Sequence, residues 1–367
     1  MRLCVPYLDR DEETEVVSVL RSGYLTQGVK VIEFENLIRD YIGARYCFAM
    51  SSCTTALHLS LVALGLKPGD EVLVPDFTFP ATANVVVHLQ CKPILVDIRT
   101  ESFTIDPEKL EALITDRTRA IIPVHAFGCS ADMDSILSIA GKHKLSVIED
   151  AACAIGTTYK GKKCGALAEV GCFSFHPRKV ITTGEGGMIA TNDEKLANRV
   201  RLLRSHGGVK EEYYFRYDEA GFNYRLSDIL GAVGVAQMRK LEIILAKRRE
   251  LAQQLKDLLQ DIEEITLPHE PSWGGHIYQS FVVLLDDRVD RDKLISFMRN
   301  ADIETTLGTY ALHEQPYFQR TFGYRSGQLP NSSRAFRKSL TLPLYPDMKA
   351  NDARELARCL KSGLVQQ

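Results

Sequence analysis

One lysine of this 367-residue chain, Lys179, lies in a predicted turn whose neighbouring residues are unusual for a surface lysine. An apolar stretch, residues 172–175, runs into Pro177, and Gly184, Gly186 and Gly187 follow Lys179. Proline ends the stretch, and glycines let the backbone come close to a ligand or take positive φ angles. A lysine in such a turn can point into a site where desolvation lowers the pKa of its amine and makes it a nucleophile. The pattern predicts a reactive amine at Lys179.

A carboxylate ends a second apolar stretch. Residues 146–150 read Ser-Val-Ile-Glu-Asp, and two alanines follow Asp150. Ligands of α/β folds bind at the carboxyl ends of parallel strands, and the small residues after Asp150 leave its side chain accessible. Asp150 is therefore a candidate ligand-binding residue, with a cap for the following turn as the alternative.

Small hydroxyl residues lead into a predicted helix that runs to about residue 64. Ser52, Thr54 and Thr55 flank Cys53 at its start. A helix N-terminus offers unpaired N–H groups and the positive end of the helix dipole, which together suit a phosphate. The same residues also suit an ordinary N-cap, so both interpretations stay open here.

Histidines give weaker signals. His176 lies three residues before Lys179, but a general base must first have the right geometry, and a freed lysine amine already lies beside the reacting carbon. No pair of histidines has the spacing of a zinc site. We therefore expect no metal, and His176 is only a secondary candidate for proton transfer.

Short apolar stretches alternate with amphipathic ones through the first two thirds of the chain. They lie at residues 71–75, 93–97, 120–124, 146–150, 171–175 and 187–191. This alternation predicts an α/β fold with a mostly parallel sheet covered by helices on both faces. A long periodic helix over 227–259 precedes a linker with Pro268 and Pro271, and a small α+β domain follows. The predicted domains are residues 1–240, which include two N-terminal helices, and 241–367.

Composition excludes several classes of protein. Lys and Arg number 45 against 47 Asp and Glu, a net charge of −2, so no overall field favours nucleic acid or an acidic membrane. The longest nearly apolar stretch, residues 57–66, covers about half a bilayer span. The nine cysteines are scattered without a Cys-x-x-Cys pair, and Asp9 comes before an apolar signal core could form. We expect reduced thiols, a cytoplasmic location and no partner among membranes or nucleic acids.

These motifs resemble those of the DegT/StrS sugar aminotransferases over nearly the whole chain. Besides the segments around Lys179 and Asp150, the matching stretches are Ser22-Gly23-Tyr24-Leu25-Thr26-Gln27-Gly28, Asp76-Phe77-Thr78-Phe79, Gly221-Phe222-Asn223-Tyr224-Arg225, Tyr310-x-x-His313-x-Gln315-Pro316 and Leu342-Pro343-Leu344-Tyr345-Pro346. The resemblance implies a fold-type-I enzyme dependent on pyridoxal 5′-phosphate (PLP). Its large domain would hold a seven-stranded, mostly parallel sheet between helices, with a smaller C-terminal α+β domain.

The resemblance also implies residue roles. Lys179 is the lysine that forms the Schiff base, and Asp150 pairs with the pyridine nitrogen. Phe79 stacks on the ring. Phosphate contacts come from Ser174, Cys53 and Thr54, with Asn223 added from a second subunit of a homodimer. Cys153 stands where the family commonly has histidine or glutamine near the ring hydroxyl, so an essential role is not expected for it.

The implied reaction moves an amino group from glutamate or glutamine to a nucleotide-linked keto sugar, such as a 4-keto-6-deoxy hexose, in two half-reactions. The resemblance places Tyr310, His313 and Gln315 near the sugar nucleotide, with Arg225 reaching in from the partner chain. A cyclitol or aminobenzoate-type aminotransferase remains an alternative. Lys179 argues against the family's dehydratases, which have histidine there. The neutral charge balance and the lack of a helix-turn-helix pattern argue against a PLP-binding regulatory protein.

Overall fold

The structure is a computed structural model that describes residues 1–366. Its centre is a seven-stranded sheet. The strands, in spatial order, are Tyr46–Met50, Gly187–Thr191, Val170–Ser174, Ser146–Asp150, Thr118–Ile121, Glu71–Pro75 and Lys92–Val96. Only Gly187–Thr191 runs antiparallel to its neighbours. The predicted mostly parallel sheet is therefore confirmed, and the added strand, Tyr46–Met50, lies at its edge.

Helices cover both faces of this sheet, and each face has its own apolar core. Phe34, Ile38 and Met133 belong to one core, while Leu57, Val86 and Val200 belong to the other. The arrangement is the layered fold of fold-type-I enzymes, as predicted. The large-domain helices are Arg10–Ser22, Val29–Ile42, Cys53–Ala63, Ala81–His88, Met133–His143, Glu194–Arg204 and Asp228–Leu259.

Local sequence signals mark both ends of the first helix and the C-terminus of the second. Asp9 and Glu12 form a capping box at the first helix, which satisfies N–H groups that the helix itself leaves unpaired. Gly23 and Gly43 end the two helices with φ of 75° and 74°, a left-handed conformation that glycine adopts at little cost. Local sequence thus determines both ends of the first helix and the C-terminus of the second. The N-terminus of the second helix is held by the distant Asp228, whose Oδ1 accepts the Gly28 and Val31 N–H groups.

The long helix Asp228–Leu259 joins two hydrophobic cores. Its side chains pack in the large-domain core up to Leu245 and in a third core from Leu251 onward. The predicted boundary at 240/241 falls inside this helix and remains a proposal. Met1 packs against the third core, and the Leu3 N–H donates to Glu304.

The C-terminal part is a small α+β unit around one antiparallel sheet. Its strands are Ile265–Thr266, Phe281–Leu285 and Ser339–Leu342, and its helices are Arg291–Asn300, Pro316–Phe322, Pro330–Lys338 and Ala350–Val365. The remaining short strands pair as Gly208–Lys210 with Phe215–Tyr217, Phe77–Thr78 with Tyr310–Ala311, and Thr158–Tyr159 with both Lys162–Lys163 and Gly274–Gly275. Within residues 1–366, none of the helices has the length and apolarity to cross a bilayer.

Candidate active site

A cavity of about 620 Å³ opens at the carboxyl edge of the parallel strands, and the small domain contributes part of its wall. This is the edge where α/β sheets place their ligands. All of the predicted cofactor residues except Asn223 line it: Cys53, Thr54, Phe79, Asp150, Cys153, Ser174 and Lys179. The fold thus brings to one place residues that are up to 126 positions apart, from 53 to 179.

Asp150 ends the central strand Ser146–Asp150 and is buried, with 5% of its surface exposed. Its Oδ2 accepts a hydrogen bond of 2.8 Å from Thr82 Oγ1, and its Oδ1 accepts one of 3.1 Å from the Ala152 N–H. Burial raises the pKa of Asp150 in spite of these bonds. A carboxylate in this position is stabilised by any cation placed against it from the cavity.

The Lys179 amine lies 3.1 Å from Cys153 Sγ. Burial lowers the pKa of this amine, but the neighbouring Cys153 and Cys53 thiols and the Asp150 carboxylate outweigh that effect and raise it. The expectation of a lowered pKa at Lys179 is therefore wrong for the groups of this chain. The physical reason is the close contact with Cys153 and the nearby Asp150 carboxylate, which only the tertiary structure reveals. Cys153 contacts the reactive amine, a closer position than the sequence pattern indicated.

The helix Cys53–Ala63 points its N-terminus at the cavity. Ser52 caps it in a capping box with Thr55, so the exposed Thr54 is not needed for capping. Gly187 lets the start of this helix pack closely against the sheet, because a Cβ at position 187 would lie only 2.6 Å from the Cys53 nitrogen. Ser174 ends the adjoining strand Val170–Ser174 and also faces the cavity. A helix end with nearby hydroxyls is suited to a phosphate group.

Phe79 stands at the cavity with 66% of its surface exposed. Phe79 is therefore not part of the hydrophobic core. Three residues later, Thr82 is buried and donates to Asp150. Sequence analysis missed Thr82, although its place one helical turn after Phe79 was an available signal. The segment that carries the ring therefore also supplies a hydrogen bond to the buried acid.

The predicted cofactor residue Asn223 and several predicted substrate residues lie off the cavity wall. Asn223 is exposed, while the Arg225 guanidinium donates to Ser205 Oγ at 2.9 Å. Tyr310 pairs through its backbone with Thr78, and Gln315 Nε2 donates to the Ala311 carbonyl. The roles assigned to these residues remain predictions, and those of Asn223 and Arg225 concern a partner subunit.

His313 is fully buried, and both of its ring nitrogens have partners within the chain. Nδ1 lies 2.6 Å from Asp76 Oδ2, and Nε2 lies 3.0 Å from Ser333 Oγ. The structure does not bring this ring to the cavity, in contrast to the predicted contact with a sugar nucleotide. Its polar atoms are occupied because the segment around His313 packs against the loop after the strand Glu71–Pro75.

Two further polar residues of the Lys179 turn line the cavity. His176 Nδ1 accepts the Arg178 N–H at 3.2 Å, so this nitrogen shapes the turn. The Arg178 carbonyl accepts a hydrogen bond of 2.7 Å from Gln279 Nε2. Arg178 is the only arginine on the cavity wall among residues 1–366, and its guanidinium makes no ion pair with the described residues. Sequence analysis assigned it no role.

A buried cluster of His125, Glu149 and Cys164 lies next to Asp150 and has the residue types of a metal site. Glu149 already accepts hydrogen bonds from the Gly165, Leu167 and Ala168 N–H groups. His125 Nδ1 accepts the Ala131 N–H, and its Nε2 lies 2.9 Å from Glu149. The lone pairs that a metal requires are therefore used inside the protein, and the cluster has a structural role.

The cavity offers each group that PLP requires. A helix end with two hydroxyls suits the phosphate, and a cationic ring nitrogen would stabilise the charged form of Asp150, which burial disfavours. The ring of Phe79 is free to stack, and the amine of Lys179 lies within the same cavity. The donor set thus fits the cofactor.

A mostly parallel sheet whose carboxyl edge presents an amine and a buried acid in one cavity defines a fold-type-I transferase. The solved putative sugar aminotransferase Spr1654 from Streptococcus pneumoniae, in its PMP-form, superposes with a TM-score of 0.95 at 25% identity over 99% of this chain and 98% of that one. The same protein in its PLP-form superposes with a TM-score of 0.94.

The chain belongs to the DegT/DnrJ/EryC1/StrS aminotransferase family, whose model matches residues 6–361. It is 41% identical to the GDP-perosamine synthase of Caulobacter vibrioides over 86% of this chain and 85% of that protein. It is 36% identical to the UDP-4-amino-4-deoxy-L-arabinose–oxoglutarate aminotransferase of Shewanella sediminis over 98% of this chain and 96% of that protein. The protein is an enzyme, an aminotransferase.

Proposed function

We propose that this enzyme uses PLP to transfer an amino group from glutamate to a nucleotide-linked keto sugar, such as a 4-keto-6-deoxy hexose. The observation that carries the proposal is the Lys179 amine in one cavity with the buried Asp150. The name of the Caulobacter relative supports a nucleotide sugar as substrate. The name of the Shewanella relative, which includes oxoglutarate, supports glutamate as the donor.

Bound PLP supplies an electron sink for the carbanion that forms when the donor loses its α-proton. Asp150 keeps the pyridine nitrogen protonated by pairing a buried carboxylate with it. Lys179 would hold the cofactor through its Nζ, and the same Nζ would take the α-proton of the donor. In the second half-reaction, Lys179 Nζ returns a proton to the sugar carbon that gains the amine.

The other residues of the cavity wall would orient the cofactor and shield it from water. Phe79 covers one face of the ring and excludes water from it. The N–H groups at Cys53 and Thr54, with the Ser174 hydroxyl, bind the phosphate. We further propose a homodimer in which the exposed Asn223 completes the phosphate site of its partner, while Arg225 of one subunit meets an anionic group in the other.

Replacing Asn223 tests the shared site. Asn223→Ala is expected to raise the PLP dissociation constant about tenfold, because one hydrogen bond to a charged phosphate is lost. Fluorescence titration of the PLP-free enzyme measures this constant, and thermal unfolding checks the fold. Asn300→Ala, at the exposed end of the helix Arg291–Asn300, is the matched control. Equal PLP affinity in both variants would contradict a phosphate site shared between subunits.

Arg178 is suited to the carboxylate of the amino donor, because it adjoins Lys179 and has no ion-pair partner in this chain. Arg178→Met is expected to lower kcat/KM of the glutamate half-reaction by about 10- to 100-fold, the effect of a lost charge-assisted bond. The half-reaction with the keto sugar should not change. Stopped-flow absorbance follows both half-reactions. Arg320→Met, which replaces an exposed arginine away from the cavity, is the control. A lower kcat/KM in the sugar half-reaction alone would instead indicate that Arg178 binds the diphosphate of the nucleotide sugar.

The function itself is tested by product analysis. The purified enzyme is incubated with PLP, glutamate and separate UDP-, GDP- and dTDP-linked keto sugars, with a cyclitol ketone in parallel. Mass spectrometry should detect an amino sugar and an equal amount of 2-oxoglutarate. Amination of the cyclitol ketone alone would replace the proposed substrate class, and no amination of any ketone would overturn the proposal.

A further inference from the structure

We infer that His313 is a positioning residue: it holds Asp76, and through Asp76 it fixes the segment 76–82 that presents Phe79 and Thr82 to the cofactor cavity. The inference rests on the proposed cofactor site, because it concerns how that site is assembled. His313 itself does not touch the cavity. It acts on residues 237 positions earlier in the chain.

The contact between His313 and Asp76 uses both oxygens of the carboxylate. The His313 backbone N–H donates to Oδ1 at 2.7 Å, and ring Nδ1 donates to Oδ2 at 2.6 Å. Both side chains have 0% exposure, so water does not compete for these bonds. A hydrogen bond to a charged group in such surroundings is stronger than an ordinary one. The pair therefore fixes the position of Asp76 tightly.

The other ring nitrogen is also held. Nε2 lies 3.0 Å from Ser333 Oγ, and that hydroxyl donates to Glu314 Oε1 at 2.7 Å. Both ring nitrogens of His313 therefore have a partner within the chain, Asp76 on one side and Ser333 on the other. Rotation of the imidazole would break both of its bonds, and this fixes its orientation.

The main chain around Asp76 is tied to the same C-terminal segment. The Leu312 N–H donates to the Asp76 carbonyl at 3.0 Å. The strands Phe77–Thr78 and Tyr310–Ala311 pair in an antiparallel register. Asp76 also donates its own N–H to the Val96 carbonyl of the neighbouring strand. Segment 76–82 is thus held between the large sheet and the segment that carries His313.

The consequence for the cavity follows from what this segment presents. Phe79 is 66% exposed and has little packing of its own, so its position depends on the backbone that carries it. Thr78 Oγ1 lies 3.2 Å from Thr82 Oγ1, which donates to Asp150 at 2.8 Å. A shift at Asp76 is therefore transmitted to the stacking ring and to the hydrogen bond of the catalytic acid.

The test compares His313→Leu, which removes both ring bonds, with His313→Asn, whose amide can still donate to Asp76. His313→Leu is expected to raise the PLP dissociation constant about tenfold, the effect of a lost charged hydrogen bond. It should also weaken the circular dichroism of each bound PLP, because the cofactor is held less asymmetrically. His313→Asn should restore both readouts close to the wild-type values.

Asp228→Asn is the matched control for a purely structural effect. Asp228 is also a buried carboxylate that holds a distant segment: it accepts the backbone N–H groups of Gly28 and Val31 at 3.0 and 2.8 Å and lies outside the cavity wall. It should lower the melting temperature and leave PLP affinity and dichroism unchanged.

Wild-type affinity and dichroism in His313→Leu, with only a lower melting temperature, would overturn the inference. If His313→Leu does not fold, Asp76→Asn replaces it, and an unchanged PLP dissociation constant in that variant overturns the inference as well. Failure of the wild-type enzyme to bind PLP would instead overturn the proposed function, so the two failures are distinguishable.

Discussion

Lys179→Ala is expected to abolish turnover, with kcat falling by about 10⁴-fold or more, because a single amine both holds the cofactor and moves the proton. The absorbance band of the Schiff base should disappear as well. PLP can still bind through the helix end at Cys53 and through Asp150, so the variant should retain the cofactor without a covalent link. Absorbance spectroscopy after dialysis, and borohydride reduction followed by mass spectrometry, measure these outcomes.

Lys179→Arg is the control for charge, since it keeps a cation near Cys153 and Asp150 but cannot form the Schiff base. It should be as inactive as the alanine variant. Lys163→Ala replaces a partly buried lysine that is hydrogen-bonded to Tyr41, and this variant should retain full activity. Multiple turnovers by either Lys179 variant would refute the assignment of Lys179 as the catalytic amine.

Asp150→Asn should produce two effects of opposite sign. Activity should fall by about 10²- to 10⁴-fold, because a neutral amide does not hold the proton on the pyridine nitrogen and the electron sink is lost. Without cofactor, the protein should become more stable at neutral pH. Burial raises the pKa of Asp150, so its charged form costs stability as the pH rises through that pKa, and the amide removes this cost.

Steady-state kinetics and thermal unfolding of the PLP-free protein measure the two effects. Thr82→Val is the matched control: it keeps the charge of Asp150 and deletes only the hydrogen bond to Oδ2. Its loss of activity should be smaller, about tenfold. If Asp150→Asn retained wild-type turnover, Asp150 would not be the partner of the pyridine nitrogen.

Short-range patterns predicted much of this molecule. The capping box at Asp9 and the terminal glycines Gly23 and Gly43 lie within the elements that they delimit, so a single sequence reveals them. The apolar stretches predicted the large sheet because a strand buried on both faces requires continuous apolar residues. Tyr46–Met50 was missed, since its place in the sheet depends on pairing with Gly187–Thr191, far away in the chain.

The candidate site residues divide in the same way between those that the sequence predicted and those that only the fold brought together. Sequence alone predicted Lys179 and Asp150 as the residues that carry the chemistry, because proline, glycine and alanine next to them indicate the ends of strands and turns. Only the tertiary structure decided that Cys153 and Asp150 raise the pKa of Lys179, that Thr82 bonds to the acid and that His313 holds Asp76 instead of facing the cavity. Each of these depends on a contact between distant segments, and such contacts form only when the sheet and the small domain pack together.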